Sequence, residues 1–276
     1  MATSATSDQL LVVIDPVARR TDGESVRIAK DVLSAGARTK VCLPDSPEEF
    51  ARALTRRGSR RPVVVGDDRA LARAVSLLHR RRELAGCALS LVPVGGALSV
   101  AGALGVPMGA VAAARAVLDG VERRLDLLVD DSDGVVLGAL RIPSAAHRTT
   151  ETEEGRPWLR TAQSLVRTLV PARETPLPAS RPSRLRVEVD GVTLVDLDQP
   201  VETVSVTPGA TGVAEVEVRP LSVGAEASPL LASGRRVSVS GTDFHYRADA
   251  GVWGPVRRRT WTVWEGAWGL TVPGAP

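Results

Sequence analysis

Two stretches between Pro62 and Pro107, PVVVGDDRALARAV and LSLVPVGGALSVAGALGVP, run from an apolar strand through a short loop towards a helix. Corners of this kind hold phosphate groups, because backbone N–H groups and the positive end of a helix converge there. Phosphate binding favours glycine, which lets the backbone approach an anion closely. Here Asp67, Asp68, Arg69 and Ala70 follow Gly66, and Ala97, Leu98 and Ser99 follow Gly95 and Gly96. Asp67 or Asp68 suits the N-cap of the helix that starts there. A carboxylate in that place satisfies the helix end and repels a phosphate.

Other reactive arrangements are missing. His79, His147 and His245 stand apart from one another and from Cys42 and Cys87, so no zinc-site spacing appears. The chain has two lysines, Lys30 and Lys40, and neither closes a Gly-x4-Gly-Lys phosphate loop. No Gly-x-Gly-x-x-Gly follows a strand, and there is no Gly-x-Ser-x-Gly elbow.

The elements that position these loops read as an alternation. Strands are expected at 10–15, 39–44, 63–66, 88–94 and 124–130, with helices near 24–36, from Ser46-Pro47-Glu48-Glu49 onward, over 70–81 and over 109–118. Short Val/Leu-rich strands between amphipathic helices predict a three-layer α/β domain with a parallel sheet over 1–142. Ligands in such folds sit beyond the carboxyl ends of the strands. Residues 143–183 are rich in Pro, Thr and Glu and read as a linker around one helix, with Trp158, Ala162, Leu165, Val166 and Leu169 on one face. From 184 to 276 the period is two. RLRVEV-DG-VTLVD is a hairpin, and VETVSVT, VAEVEVR, RRVSVSG, FHYRA, RRRTWTVW and AWGLTV follow, predicting an antiparallel β-sandwich. Most of its aromatics, Phe244, Tyr246, Trp253, Trp261, Trp264 and Trp268, are expected in the core, with a lesser reading in which some line an acyl-chain groove or meet a membrane interface.

Composition sets the outer limits. At 276 residues and 43% hydrophobic the chain can bury one large core or two modest ones. The two cysteines, both in apolar runs, read as buried reduced thiols. The start MATSATSDQ lacks a secretory pattern, so a cytoplasmic location is expected. The stretch 84–114 carries no charge, but Pro93, Pro107 and six glycines break it into pieces too short for a span of about 20 apolar residues. The positive balance is almost wholly arginine, in clusters such as Arg80–Arg82 and Arg257–Arg259. Solvated faces account for most of it, and attraction to anionic lipid headgroups is the sharper reading. Nucleic acid is not expected, since no recognition motif accompanies the charge.

Five segments in order resemble the diacylglycerol kinase catalytic-domain family, the bacterial lipid kinases related to sphingosine kinases and NAD kinases. The family's Asn-Pro-x-(Ser/Ala)-Gly is matched by IDPVAR with Asp15 and Pro16, and its Gly-Gly-Asp-Gly-Thr by VVVGDDRAL with Gly66, Asp68 and Leu71. Its Pro-x-Gly-Thr-Gly-Asn-Asp segment is matched by PVGGALSVAGALGVP, which keeps Pro93, Gly95 and the 104–107 tail. RRLDLL supplies Asp126, and RADAGVWGP…LTVP supplies Asp249 and Pro273. The resemblance implies a cleft between the two domains in which ATP and Mg²⁺ serve phosphoryl transfer to a lipid hydroxyl. It places the nucleotide near Asp15, Pro16, Gly66, Asp68, Arg69, Gly95 and Gly96, with no metal ligand identified. Gly251 stands where the family's general-base Glu is expected, leaving Asp249 as the candidate base. Taken singly, Asp68 is more often a helix cap, Gly95 and Gly96 turn residues, Asp249 a turn aspartate, and Asp126 a partner of Arg123 or Arg124.

Two functions follow. One is a lipid kinase with impaired or lost activity. The other is a non-catalytic module holding a lipid, a nucleotide or a partner protein. Either admits peripheral contact with an anionic membrane at its inner face, and a homodimer.

Overall fold

The computed structural model describes residues 9–142, 183–209, 211–221 and 228–274. The helix expected around 158–169 and His147 lie outside these residues. The chain begins with β1 (Gln9–Ile14), α1 (Pro16–Thr21), α2 (Gly23–Gly36), β2 (Arg38–Cys42), α3 (Pro47–Thr55), β3 (Arg61–Gly66), α4 (Asp68–Arg80) and β4 (Ala88–Pro93). The short α5 (Ser99–Ala103) and then α6 (Ala110–Asp119) follow. β1 pairs in parallel with β2 and β3, and β3 with β4. Parallel neighbours require crossovers, and helices supply them. Both faces of β1 are covered. Leu11 and Val13 pack with Phe50, Leu71 and Val75, while Leu10, Val12 and Ile14 pack with Leu33, Ala113 and Val117.

Local signals set the helix ends. Ser46 Oγ accepts from the N–H of Glu49 at 3.2 Å, with Pro47 at the first helical position. Glu49 reaches back past the cap residue to the N–H of Asp45 at 2.9 Å. α1 and α5 have no counterpart in the periodicity, being too short to show one.

The remaining strands are β5 (Val121–Asp130), β6 (Val135–Val136), β7 (Leu140–Ile142), β8 (Ser183–Val189), β9 (Val192–Val195), β10 (Pro200–Pro208), β11 (Ala214–Pro220), β12 (Leu230–Gly234), β13 (Arg236–Ala248) and β14 (Gly251–Val272). They pair with one another antiparallel, giving a mixed α/β fold. Residues 121–142, which composition groups with the first half, pair here with strands of the second. The β8–β9 turn is made by Asp190 at φ 49 and Gly191 at φ 84. A two-residue hairpin turn of this hand needs that conformation at both positions.

Two expectations are corrected. RRVSVSG and FHYRA, read as two strands, belong to the single strand β13, and RRRTWTVW and AWGLTV are parts of the single strand β14. Its register with β5 shifts between Trp264 and Trp268, around Gly266 at φ 53. The buried Asp126 fixes this bulge. Its carboxylate accepts from the N–H of Gly266 at 2.8 Å and of Gly212 at 2.7 Å. Asp126 does not pair with Arg123 or Arg124; Arg123 donates to a backbone carbonyl, and Arg124 to backbone carbonyls and to Glu122 Oε1 at 3.2 Å. Beyond the bulge Gly269 and Leu270 run parallel to Ala88 and Leu89 of β4, and Ser90 Oγ donates to Thr271 Oγ1 at 2.9 Å. β14 thus joins the strands of both halves into one continuous pairing order among the described residues.

The aromatics divide. Phe244, Tyr246, Trp261 and Trp268 are buried, whereas Trp253 is 56% and Trp264 43% exposed. Trp264 stands edge-on to His79 at 5.0 Å, and His79 Nε2 lies 2.8 Å from Asp133 Oδ1. Both cysteines are free thiols, Cys87 buried and Cys42 half-buried. No helix among the described residues is long and apolar enough to cross a membrane.

Two outcomes are expected. Tyr246 is the chain's only tyrosine, and its hydroxyl donates to Asp130 Oδ2 at 3.3 Å. Burial, and then the charge of Asp130, push its pKa from 10.0 up to about 12. Its contribution to stability is whole below pH 10 and is lost as pH rises from 10 towards 12. Near-ultraviolet phenolate absorbance, followed with and without denaturant, checks this. Replacing Asp126 by Ala leaves two N–H groups without acceptors and costs about 1–3 kcal/mol by denaturant unfolding.

Candidate functional site

The carboxyl ends of β1, β3 and β4 bring together the residues matched to the phosphate-loop motifs. Asp15 is the N-cap of α1, with Pro16 at the first helical position. Its Oδ1 accepts from the N–H of Val17 at 2.8 Å, and its Oδ2 receives Arg73 Nη1 at 2.9 Å. Gly66 ends β3, and a Cβ there would stand 2.7 Å from Cβ of Ala70 and 3.1 Å from Cβ of Asp15. The backbone approach that glycine permits is filled by protein. Gly95, at φ 132, is closed in the same way by Asp67, whose Cβ lies 3.1 Å from the position a Cβ would take. Gly96 faces open space.

The two adjacent aspartates do different work. Asp67 caps its own helix, and its Oδ1 accepts from the N–H groups of Arg69 and Ala70, both at 3.1 Å. Asp68 is 1% exposed and reaches across to the other loop. Its Oδ2 accepts from Val100 N–H at 2.9 Å and Ser99 Oγ at 3.3 Å, and its Oδ1 from Ala101 N–H at 3.0 Å. Its own N–H donates to the Ala97 carbonyl at 2.8 Å. A buried carboxylate is tolerated when its oxygens are hydrogen-bonded, and here the free N–H groups of α5 supply those bonds. Each N–H-rich corner therefore already holds an anion, and that anion is a side chain. Sequence spacing could not reveal the second contact, because the partners lie 31 to 33 residues away.

Asp249 sits opposite, at φ 49 in the β13–β14 turn. Its Oδ1 accepts from Gly138 N–H at 2.7 Å and its Oδ2 from Leu137 N–H at 3.0 Å. Burial raises its pKa and the charge of Asp68 adds to that, while the two backbone donors pull the other way. Both carboxylate oxygens are thus engaged by the 137–138 loop.

A cleft of about 690 Å³ opens between α3, α4 and the β13–β14 turn. Of the residues matched to the motifs, Arg69 and Asp249 line it, while Asp15, Pro16, Gly66, Asp68, Gly95 and Gly96 lie outside its walls. Arg69 Nε donates to the Ala250 carbonyl at 3.4 Å, tying α4 to the turn. Arg73, Arg80 and Arg247 complete a basic wall beside Ala72, Leu77 and Val135, with Trp253 at one side. Arg73 is neutralised by Asp15 and stands 5.4 Å over the ring of Phe50. Spacing alone carried part of this signal, since positions 69, 73 and 80 recur on one helical face.

Removing a buried acceptor strands its donors, so Asp68→Ala lowers unfolding free energy by about 2–4 kcal/mol. Asp67→Ala, the loss of an N-cap alone, costs about 0.5–2 kcal/mol. Denaturant melts of both variants check the order, which reverses if Asp68 holds no structural bond.

No family model and no curated protein matches the chain. Solved structures do. Two chains described as a "putative diacylglycerol kinase" from Bacillus anthracis str. Sterne align with TM-scores of 0.70 and 0.71 at 13% and 12% identity. The first alignment covers 96% of this chain and 97% of the other, the second 98% of each. A diacylglycerol kinase structure from the same organism aligns at 0.68 and 12%, covering 96% and 97%. From end to end, this chain has the diacylglycerol kinase-like fold.

Proposed function

We propose that this protein is a lipid-kinase-like module that holds a lipid in its cleft and has lost phosphoryl transfer from ATP. The fold of its neighbours supports the lipid-kinase frame. The observation that supports the loss is Asp67, which stands where the motif's second glycine is expected and whose Oδ1 takes the N–H groups of Arg69 and Ala70 that would otherwise meet a phosphate. ATP and Mg²⁺ do not fit the residues present. The N–H groups of Arg69 and Ala70 are taken by Asp67, and a triphosphate brought there would face two fixed negative charges. Among the described residues no group of three His, Cys, Asp or Glu side chains could hold a metal ion.

The competing reading is a weak kinase using Asp249 as base. Its raised pKa and its place on the cleft wall favour that role. Its bonds to Leu137 and Gly138 oppose it, since a base needs a lone pair aimed at the substrate hydroxyl. The exposed arginines around the cleft suit a protein that works at an anionic membrane surface.

The test is incubation of the purified protein with γ-labelled ATP, Mg²⁺ and diacylglycerol in mixed micelles. Labelled lipid at the level of a heat-killed control is expected. Label well above that control, abolished by Asp249→Asn, establishes the weak kinase instead.

A further inference from the structure

We infer that the cleft selects a lipid bearing a phosphomonoester headgroup over the uncharged diacylglycerol. This rests on the reading that the cleft holds a lipid, and it names the chemistry of that lipid. The argument is charge complementarity. Four arginines line the cleft, and one of them, Arg73, already has a carboxylate partner in Asp15. Arg69, Arg80 and Arg247 form no ion pair with any described residue, although sixteen pairs occur elsewhere or involve other arginines. Asp249 is the single carboxylate on the wall, and its oxygens accept from Leu137 and Gly138. Three guanidinium groups without an ion-pair partner, gathered around one cleft whose single carboxylate is already engaged, leave a local positive charge without a counter-ion.

Guanidinium groups bind phosphate oxygens through paired N–H donors, and those bonds are strongest where water is partly excluded. An uncharged glycerol ester offers nothing to offset that charge. The rest of the wall excludes a bare anion as the preferred occupant. Ala72, Leu77 and Val135 give it an apolar floor, and Val252 and Trp253 stand 41% and 56% exposed at the adjoining hairpin. Exposed tryptophan beside arginine suits the boundary between acyl chain and headgroup. The headgroup would lie among Arg69, Arg80 and Arg247, with an acyl chain along the floor.

Calorimetric titration with a water-soluble short-chain phosphatidate tests this, alongside the matching diacylglycerol and inorganic phosphate. Vesicles of phosphatidylcholine with and without phosphatidate give the same comparison at a surface. Phosphatidate is expected to bind at least about tenfold more tightly than either control ligand. The double variant Arg80→Ala, Arg247→Ala is expected to lose about tenfold or more, and Arg258→Ala, an exposed arginine outside the cleft, less than about twofold. Trp253→Phe should remove most of the tryptophan fluorescence change on binding. Equal affinity for diacylglycerol overturns the selection for charge. Binding of inorganic phosphate as tight as phosphatidate shows an anion site that ignores the lipid and also overturns it. So does phosphatidate affinity unchanged in a double variant that melts like the wild type. Failure of any of these leaves the kinase assay untouched, and labelled lipid in that assay leaves this selectivity untouched.

Discussion

One buried carboxylate ties the candidate site together. Asp68 begins α4 yet gives its acceptors to the first turn of α5, so the β3–α4 and β4–α5 corners share one negative charge. Withdrawing a carboxylate from water costs several kcal/mol, and bonds to three donors offset that cost in a way a solvated loop could not. Further contacts follow from this one. With Ala101 and Val100 held, Val100 packs within 3.4 Å of the Cβ position of Gly138, and the 137–138 loop in turn holds Asp249. Asp67, capping α4 from the other side, closes the space beside Gly95. The two glycines that resemble a phosphate cradle are thereby used for protein packing.

The same constraint separates the motif region from the open cleft. Strand ends β1, β3 and β4 are filled by Asp15, Asp67 and Asp68, and the free volume lies along the other face of α4. The β13–β14 turn closes that volume because β14 is anchored twice. Its first part pairs with β13, and past the bulge held by Asp126 it runs beside β4. Arg69, bonded to the Ala250 carbonyl, adds a direct link across the cleft. A basic wall with an apolar floor is what remains accessible.

The sequence was most informative where one segment decides its own structure. Alternation of apolar strands and amphipathic helices, the Ser46 cap and the Asp190-Gly191 turn all depend on neighbours within a few residues, and all are found as read. Contacts between distant segments were not legible. Nothing in RRLDLL says that Asp126 will bond Gly266 and Gly212, so RRRTWTVW and AWGLTV looked like two strands. The pair Asp67-Asp68 left the cap undecided, and the three-dimensional arrangement assigns one residue to each helix. The two residues that flank Asp68 act differently. Asp67 fills space, whereas Arg69 points to the cleft and supplies positive charge. Nothing in the sequence separates Arg80 and Arg247 from the many other exposed arginines; only their shared cleft sets them apart.

The central claim is that internal carboxylates stand where an anion would otherwise bind. The most direct measurement compares the thermal stability of the wild type with that of Asp67→Gly/Asp68→Ala while pyrophosphate is titrated. The account predicts a wild type indifferent to pyrophosphate and a destabilised variant that recovers stability as the added anion occupies the vacated N–H groups, following the usual dependence on ligand over Kd. A wild type stabilised by pyrophosphate as strongly as the variant would contradict it.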